Sequence, residues 1–119
     1  MTKLAFVFPG QGSQAVGMLE DAREASADLF AEASSVLGYD LWNLVENGPE
    51  DQLNQTEYTQ PALLTASIAL FRLAQDRGLP SPDVVAGHSL GEYSALVAAN
   101  VLQFSDAVML VQKRGQFMQ

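Results

Sequence analysis

The sequence predicts an α/β protein with parallel strands, and two observations lead to that class. Two short apolar runs, at residues 4–8 and 84–87, each end at a glycine-containing turn, which is typical of buried strands in a parallel sheet. The segments after each run have helical patterns, so the order is strand, helices, strand, helix, helix. Because two parallel strands are too few for a core, we expect the 119 residues to be the front part of a larger protein.

The first half of the chain predicts one strand and two helical segments. Residues 4–8 form an apolar run stopped by a Pro-Gly pair, which predicts a strand buried on both faces. Residues 20–37 predict a helix, with acidic side chains near its start and a glycine directly after its end. Residues 41–45 predict a short turn of helix. The polar residues 50–60 predict a loop, in which Leu53 could anchor a further turn of helix.

The second half predicts three helices around the second strand. Pro61 is a suitable first residue for a long helix that ends near Gly78, and its nearly uniform apolar surface predicts burial on every side. A helix of small residues is predicted over residues 90–99. Ser105 is the predicted N-cap of a last helix over residues 106–113, which ends at an Arg-Gly pair.

Composition excludes several classes of partner and chemistry. The net charge is −8 and no basic stripe exists to neutralise phosphates, so we expect no nucleic-acid partner. The absence of cysteine excludes a disulfide framework, a thiolate zinc site and a cysteine nucleophile. The apolar runs are too short for a membrane span or a signal peptide, so the sequence predicts a cytoplasmic protein.

The segment Gly87-His88-Ser89-Leu90-Gly91 matches G-x-S-x-G, the nucleophile elbow of serine hydrolases and transferases. A predicted strand precedes it and a predicted helix follows, which is the setting that the motif requires. Ser89 would then lie at a helix N-terminus, where the Leu90 N–H faces an oxyanion formed by attack on a carbonyl. The alternative is that Ser89 only caps the helix after a glycine turn.

A nucleophilic serine needs a base, and the chain offers no obvious candidate. His88 is the only histidine, but side chains on an extended segment alternate, so it points away from the Ser89 hydroxyl and is expected to have a supporting role. The glycine-rich loop at residues 10–14 lacks the phosphate-binding and dinucleotide-binding patterns. It is either a donor of a second oxyanion hydrogen bond or a plain strand-to-helix connection.

Four segments in order resemble one enzyme family: "FVFPGQGSQ" at 6–14, "YTQPALLTAS" at 58–67, "GHSLGEYSAL" at 87–96 and "RGQFMQ" at 114–119. Together they are similar to the malonyl-CoA:acyl carrier protein transacylases of bacterial fatty acid synthesis. The resemblance implies an α/β hydrolase-like core with an inserted ferredoxin-like subdomain. Residues 1–119 would be the N-terminal part of that core, ending near the insertion and lacking the later strands and the catalytic histidine.

The resemblance also implies roles for five residues and no metal or cofactor. Ser89 would attack the malonyl thioester of malonyl-CoA, and the acyl group would then pass to the phosphopantetheine thiol of acyl carrier protein. Gln11 and Leu90 would supply the backbone N–H groups of the oxyanion hole. Arg114 would bind the malonyl carboxylate in a bidentate way, through two parallel hydrogen bonds. Gln60 would line the substrate region.

The sequence also allows two other functions. The same elbow is found in serine esterases and thioesterases, which have no use for a carboxylate receptor such as Arg114. The 119 residues could also act alone as a non-catalytic binding or structural module. The missing base and unfinished sheet argue against that role, and we expect the isolated chain to be inactive and either poorly folded, self-associated or bound to its missing half.

Overall fold

The computed structural model describes residues 5–10, 12, 17–18, 23–78, 82, 84–87 and 89–118. These residues form two strands and six helices, in the order β1 (Ala5–Phe8), α1 (Arg23–Leu37), α2 (Leu41–Asn47), α3 (Glu50–Leu53), α4 (Thr56–Asp76), β2 (Val84–Gly87), α5 (Gly91–Ala98) and α6 (Phe104–Met118). The strands pair in parallel, with Ala5 opposite Val84 and Phe8 opposite Gly87. The α/β class with a parallel sheet is therefore confirmed.

Helix α4 is the centre of the core. Its buried residues run from Thr59 to Phe71, with Leu70 as the exposed exception. Helices α1, α5 and α6 all pack against it. The prediction of a helix buried on nearly every side is confirmed. Its physical reason is that a helix with apolar side chains all round is stable only when other elements surround it.

Helices α1 and α2 form a corner beside α4. Gly38 follows α1 with a φ of 86°, as the predicted glycine stop requires. The Asp40 side chain then caps α2 by accepting a hydrogen bond from the Asn43 backbone N–H at 3.0 Å. The Phe30 and Trp42 rings meet edge to face with centroids 5.1 Å apart, which joins the two helices. The predicted residues 20–22 of α1 lie outside the described residues.

The further turn that Leu53 could anchor is present as a helix, whereas the loop over the rest of residues 50–60 and Pro61 as the first helical residue are wrong. Residues Glu50–Leu53 form α3, and α4 begins at Thr56, so Pro61 lies inside it. The Thr59 hydroxyl lies against the carbonyl oxygens of Leu53 and Gln55, and Thr59 is fully buried. These buried contacts of Thr59 favour a helix that begins at Thr56, five residues before the start that Pro61 predicts.

The last helix is longer than predicted. α6 begins at Phe104 and continues to Met118, so Ser105 lies within its first turn and the Arg114-Gly115 pair lies inside it. Gly115 is buried against the start of α4, where a Cβ would come within 2.8 Å of the Thr56 carbonyl oxygen. A glycine that permits close helix packing looks the same in sequence as one that ends a helix, which explains the error.

The sheet is buried on one face only within the described part of the chain. Phe8 is 4% exposed and meets Phe71 of α4 edge to face at 5.9 Å. Val7 lies opposite Ala86 in the register, and both are exposed, Val7 to 77%. Burial of the strand is thus seen on one face within these residues, and burial of the other face, which was expected to need parts of a larger protein, stays a prediction. Among the described helices, none is both long and apolar enough to cross a membrane.

Candidate active site

Ser89 lies in a tight turn between β2 and α5. The strand ends at Gly87 and the helix begins at Gly91, which gives the strand–turn–helix order that the motif predicts. Ser89 has a φ of 56°, a left-handed conformation that costs energy for a residue with a side chain. Its side chain is exposed. Such strain is common where a residue is held for a chemical task.

Two glycines make this turn possible. A Cβ on Gly87 would overlap the carbonyl group of Gly91, and a Cβ on Gly91 would overlap the carbonyl oxygen of Phe8. The turn and the start of α5 are thus packed backbone against backbone onto β1. Only hydrogen fits at both positions, so the motif requires glycine for space here.

The Ser89 hydroxyl does not cap α5 in the way that the simple alternative predicts. No side chain caps this helix, whose N-cap residue is Leu90. The Ser89 carbonyl oxygen instead accepts from the Glu92 N–H at 3.0 Å. The Leu90 side chain is buried, and none of the described residues accepts a hydrogen bond from its N–H. That N–H is suited to donate to an anion formed beside Ser89.

Arg114 of α6 contacts the Ser89 side chain directly. Its Nη2 donates to Ser89 Oγ at 2.8 Å, and its Nη1 donates to Gln60 Oε1 at 2.8 Å. The guanidinium carbon also lies 5.8 Å from the centroid of the Tyr93 ring, within reach of a cation–π attraction. Four parts of the fold thus meet at one guanidinium: the turn before α5, helix α5 itself, helix α4 and helix α6.

Gln60 is fully buried in α4. Besides accepting from Arg114, its amide donates from Nε2 to the Met118 sulfur at 3.2 Å. Both ends of the amide therefore have partners. Both partners lie in α6, so this one side chain ties α4 to the part of α6 that bears Arg114.

The electrostatics of the site favour an anionic ligand. Within the described part of the chain, the two side chains that accept hydrogen bonds from Arg114 are a hydroxyl and an amide, both uncharged. Its positive charge is therefore not neutralised by them. In a chain of net charge −8, this is a local positive spot next to a serine hydroxyl.

The structure brings together four of the predicted site residues, namely Ser89, Leu90, Arg114 and Gln60. Gln11 and His88 lie outside the described residues. Sequence reasoning missed Tyr93 and Met118 as contacts of this cluster. Helical spacing could have found Met118, because it follows Arg114 by four residues in α6. It carries no such signal for Tyr93, because Ser89 lies in the turn before α5.

The known proteins that this chain resembles are acyl transferases. The acyl transferase domain model matches residues 5–119. The malonyl CoA-acyl carrier protein transacylase of Escherichia coli K12 is 61% identical over 122 residues, and that of Bacillus subtilis is 51% identical over 121 residues. The matches cover 100% and 99% of this chain. The chain spans only about 40% of the length of these relatives, 40% of the first and 38% of the second.

Solved structures agree with the described fold. An acyl carrier protein S-malonyltransferase from Vibrio cholerae is 62% identical with a TM-score of 0.95 over 99% of this chain and 40% of that one. A malonyl-transacylase in complex with its type II PKS acyl-carrier protein is 56% identical, also with a TM-score of 0.95, over 99% of this chain and 39% of that one.

Proposed function

The chain belongs to the acyl transferase domain family, and on that premise we propose that the protein carrying it transfers a malonyl group. The donor is malonyl-CoA and the acceptor is the phosphopantetheine thiol of acyl carrier protein, as in bacterial fatty acid synthesis. The reaction needs no cofactor beyond these two thioester-forming partners. Residues 1–119 are proposed to be the N-terminal part of the transferase core, ending near a subdomain insertion.

The observation that carries the proposal is the 2.8 Å contact between Arg114 Nη2 and Ser89 Oγ. In a malonyl thioester, one methylene group separates the carbonyl carbon from the carboxylate. An enzyme that attacks the carbonyl and holds the carboxylate therefore needs its nucleophile and its cation close together. A guanidinium suits that task because it stays charged and meets a carboxylate with two parallel hydrogen bonds.

The proposed reaction has two transfers through a seryl ester. Ser89 Oγ attacks the thioester carbonyl carbon, a general base takes the hydroxyl proton, and the C–S bond breaks to release the CoA thiol. The base passes that proton to the departing CoA sulfur. The carrier thiol then gives its own proton to the base and attacks the seryl ester, the bond to Ser89 Oγ breaks, and the base returns the proton to the serine. The N–H groups of Leu90 and Gln11 are proposed to stabilise the oxyanion in both steps.

The general base is proposed to be a histidine from the part of the relatives' length that this chain does not match. His88 is not assigned that role, because residues beside an elbow serine point away from its hydroxyl. The 119 residues alone are accordingly expected to show no transfer activity.

The test uses the full-length protein that carries this chain, incubated with malonyl-CoA and analysed by mass spectrometry. We expect one malonyl adduct on the Ser89 peptide and none in Ser89→Ala. Arg114→Ala should lower malonyl transfer roughly 100-fold, because two charge-assisted hydrogen bonds are lost. Labelling that persists in Ser89→Ala would overturn the proposal. Hydrolysis of neutral esters that survives Arg114→Ala, without malonylation, would identify an esterase instead.

A further inference from the structure

We propose that Gln60 is a positioning residue that holds the Arg114 guanidinium beside Ser89 without cancelling its charge. This inference rests on the proposed function, in which Arg114 binds the acyl carboxylate. It differs from the expectation that Gln60 itself lines the substrate region. Gln60 is 0% exposed, so its influence on a substrate has to pass through Arg114.

The hydrogen bonds of Gln60 fix the orientation of its amide. Oε1 accepts from Arg114 Nη1 at 2.8 Å, and Nε2 donates to the Met118 sulfur at 3.2 Å. Reversing the amide would place a donor against the guanidinium, which has only donors, so the reversed state is excluded. A buried amide with both ends occupied is a rigid support.

The backbones near Gln60 and Arg114 are also held close together. Gly115, next to Arg114, lies where a Cβ would come within 2.7 Å of the Glu57 Cα. Glu57 precedes Gln60 by three residues, which is about one helical turn. The base of the Arg114 side chain is therefore fixed against α4, and Gln60 fixes its charged end.

The chemistry of residue 60 explains why an amide is suitable there. A carboxylate at this position would form a buried, charge-assisted pair with Arg114 and neutralise it. An incoming malonyl carboxylate would then meet a neutral pair and be repelled by the new anion. An amide oxygen accepts the same hydrogen bond but has no net charge. Residue 60 thus helps to decide whether the site prefers acyl groups that bear a carboxylate.

The test compares Gln60→Glu with Gln60→Met in the full-length protein that carries this chain. The readout is kcat/KM for acylation of Ser89 by malonyl-CoA and by acetyl-CoA, which lacks the carboxylate. For Gln60→Glu we expect the malonyl value to fall roughly 100-fold and the acetyl value to change less than about 3-fold. Gln60→Met keeps a similar shape without the acceptor, and should raise the malonyl KM roughly 10-fold.

A double-mutant cycle with Arg114→Ala shows whether Gln60 acts through the arginine. In the Arg114→Ala background, Gln60→Glu should change malonyl transfer by less than about 2-fold, because its target is gone. Equal effects in both backgrounds would overturn the inference. Thermal melting checks the folding of each variant, and if Gln60→Glu does not fold, Gln60→Met goes through the same cycle and decides.

The failure of this inference is distinguishable from that of the proposed function. If the unsubstituted protein does not malonylate Ser89, the proposed function fails. If it does, but both Gln60 variants keep the original ratio of malonyl to acetyl transfer, only the role of Gln60 is overturned.

Discussion

The two sides of the candidate site are built in different ways. On the turn side, Ser89 is placed by backbone packed against backbone, since neither Gly87 nor Gly91 has room for a Cβ. On the helix side, the Arg114 guanidinium is placed by the ends of side chains, above all the Gln60 amide. The position of Ser89 is thus set by shape, whereas the position of the Arg114 guanidinium is set by hydrogen bonds that single substitutions can change.

The largest effect is expected on the turn side, from Gly91→Ala. The added Cβ would overlap the Phe8 carbonyl oxygen, so β1 and α5 would have to separate. We expect the free energy of unfolding of the full-length protein to fall by more than about 3 kcal/mol in urea denaturation. Gly38→Ala is the matched control, because Gly38 has a positive φ but open space around it, and should cost only about 1 kcal/mol. Equal costs would show that the turn is not limited by space.

A smaller loss of stability is expected on the helix side, from Gly115→Ala. Its Cβ would come within 3.0 Å of three backbone atoms of α4, but the gain in helix propensity offsets part of the strain. We expect a net cost of about 1–2 kcal/mol and a rise in the malonyl-CoA KM as Arg114 moves away. The exposed neighbour Lys113→Ala should change stability by no more than about 0.5 kcal/mol. A Gly115→Ala protein as stable as the original would contradict close packing of α4 and α6.

The connection between α1 and α2, which contains Tyr39, is also expected to be sensitive to alkaline pH. Burial is the main cause that raises the pKa of Tyr39, and the nearby Tyr58 of α4 and Glu57 add to it. The folded state therefore holds the Tyr39 hydroxyl proton up to a higher pH than the unfolded state does. The free energy of unfolding should fall as pH rises above about 10, by up to roughly 1.4 kcal/mol per pH unit. Tyr39→Phe should remove that component in urea denaturation at pH 9 and 11. An unchanged alkaline slope in Tyr39→Phe would show that burial of this hydroxyl is not the cause.

The smallest effect is expected from Met118→Leu. This change keeps the apolar bulk and removes the sulfur that accepts from Gln60 Nε2. Since sulfur is a weak acceptor, kcat/KM for malonyl-CoA should fall only about 2- to 3-fold, with the acetyl-CoA value unchanged. Met109→Leu, at an exposed position of the same helix, is the control and should change neither value. A loss as large as that of Gln60→Met would place the main support of Arg114 at Met118.

The turn side was the more predictable from sequence, and the reason is local. The strand, the two glycines and the helix around Ser89 are contiguous, so spacing alone indicates their arrangement. The pairing of Gln60 with Arg114 joins residues 54 positions apart and depends on how α4 meets α6. The same tertiary packing explains why Pro61 and Gly115 were taken for helix boundaries. Likewise, the open face at Val7 depends on what covers the strand, which its own residues do not encode.

The guanidinium of Arg114 also has consequences for how a ligand can arrive. An arginine side chain has five N–H donors. Within the described residues, one is directed at Gln60 and one at Ser89, which leaves three. A carboxylate bound in a bidentate way needs only two of these N–H donors. In the proposed function, the Gln60 and Ser89 contacts would persist wherever two adjacent N–H groups are among the three, and the Ser89 hydroxyl would then be held by Arg114 as the malonyl carboxylate docks.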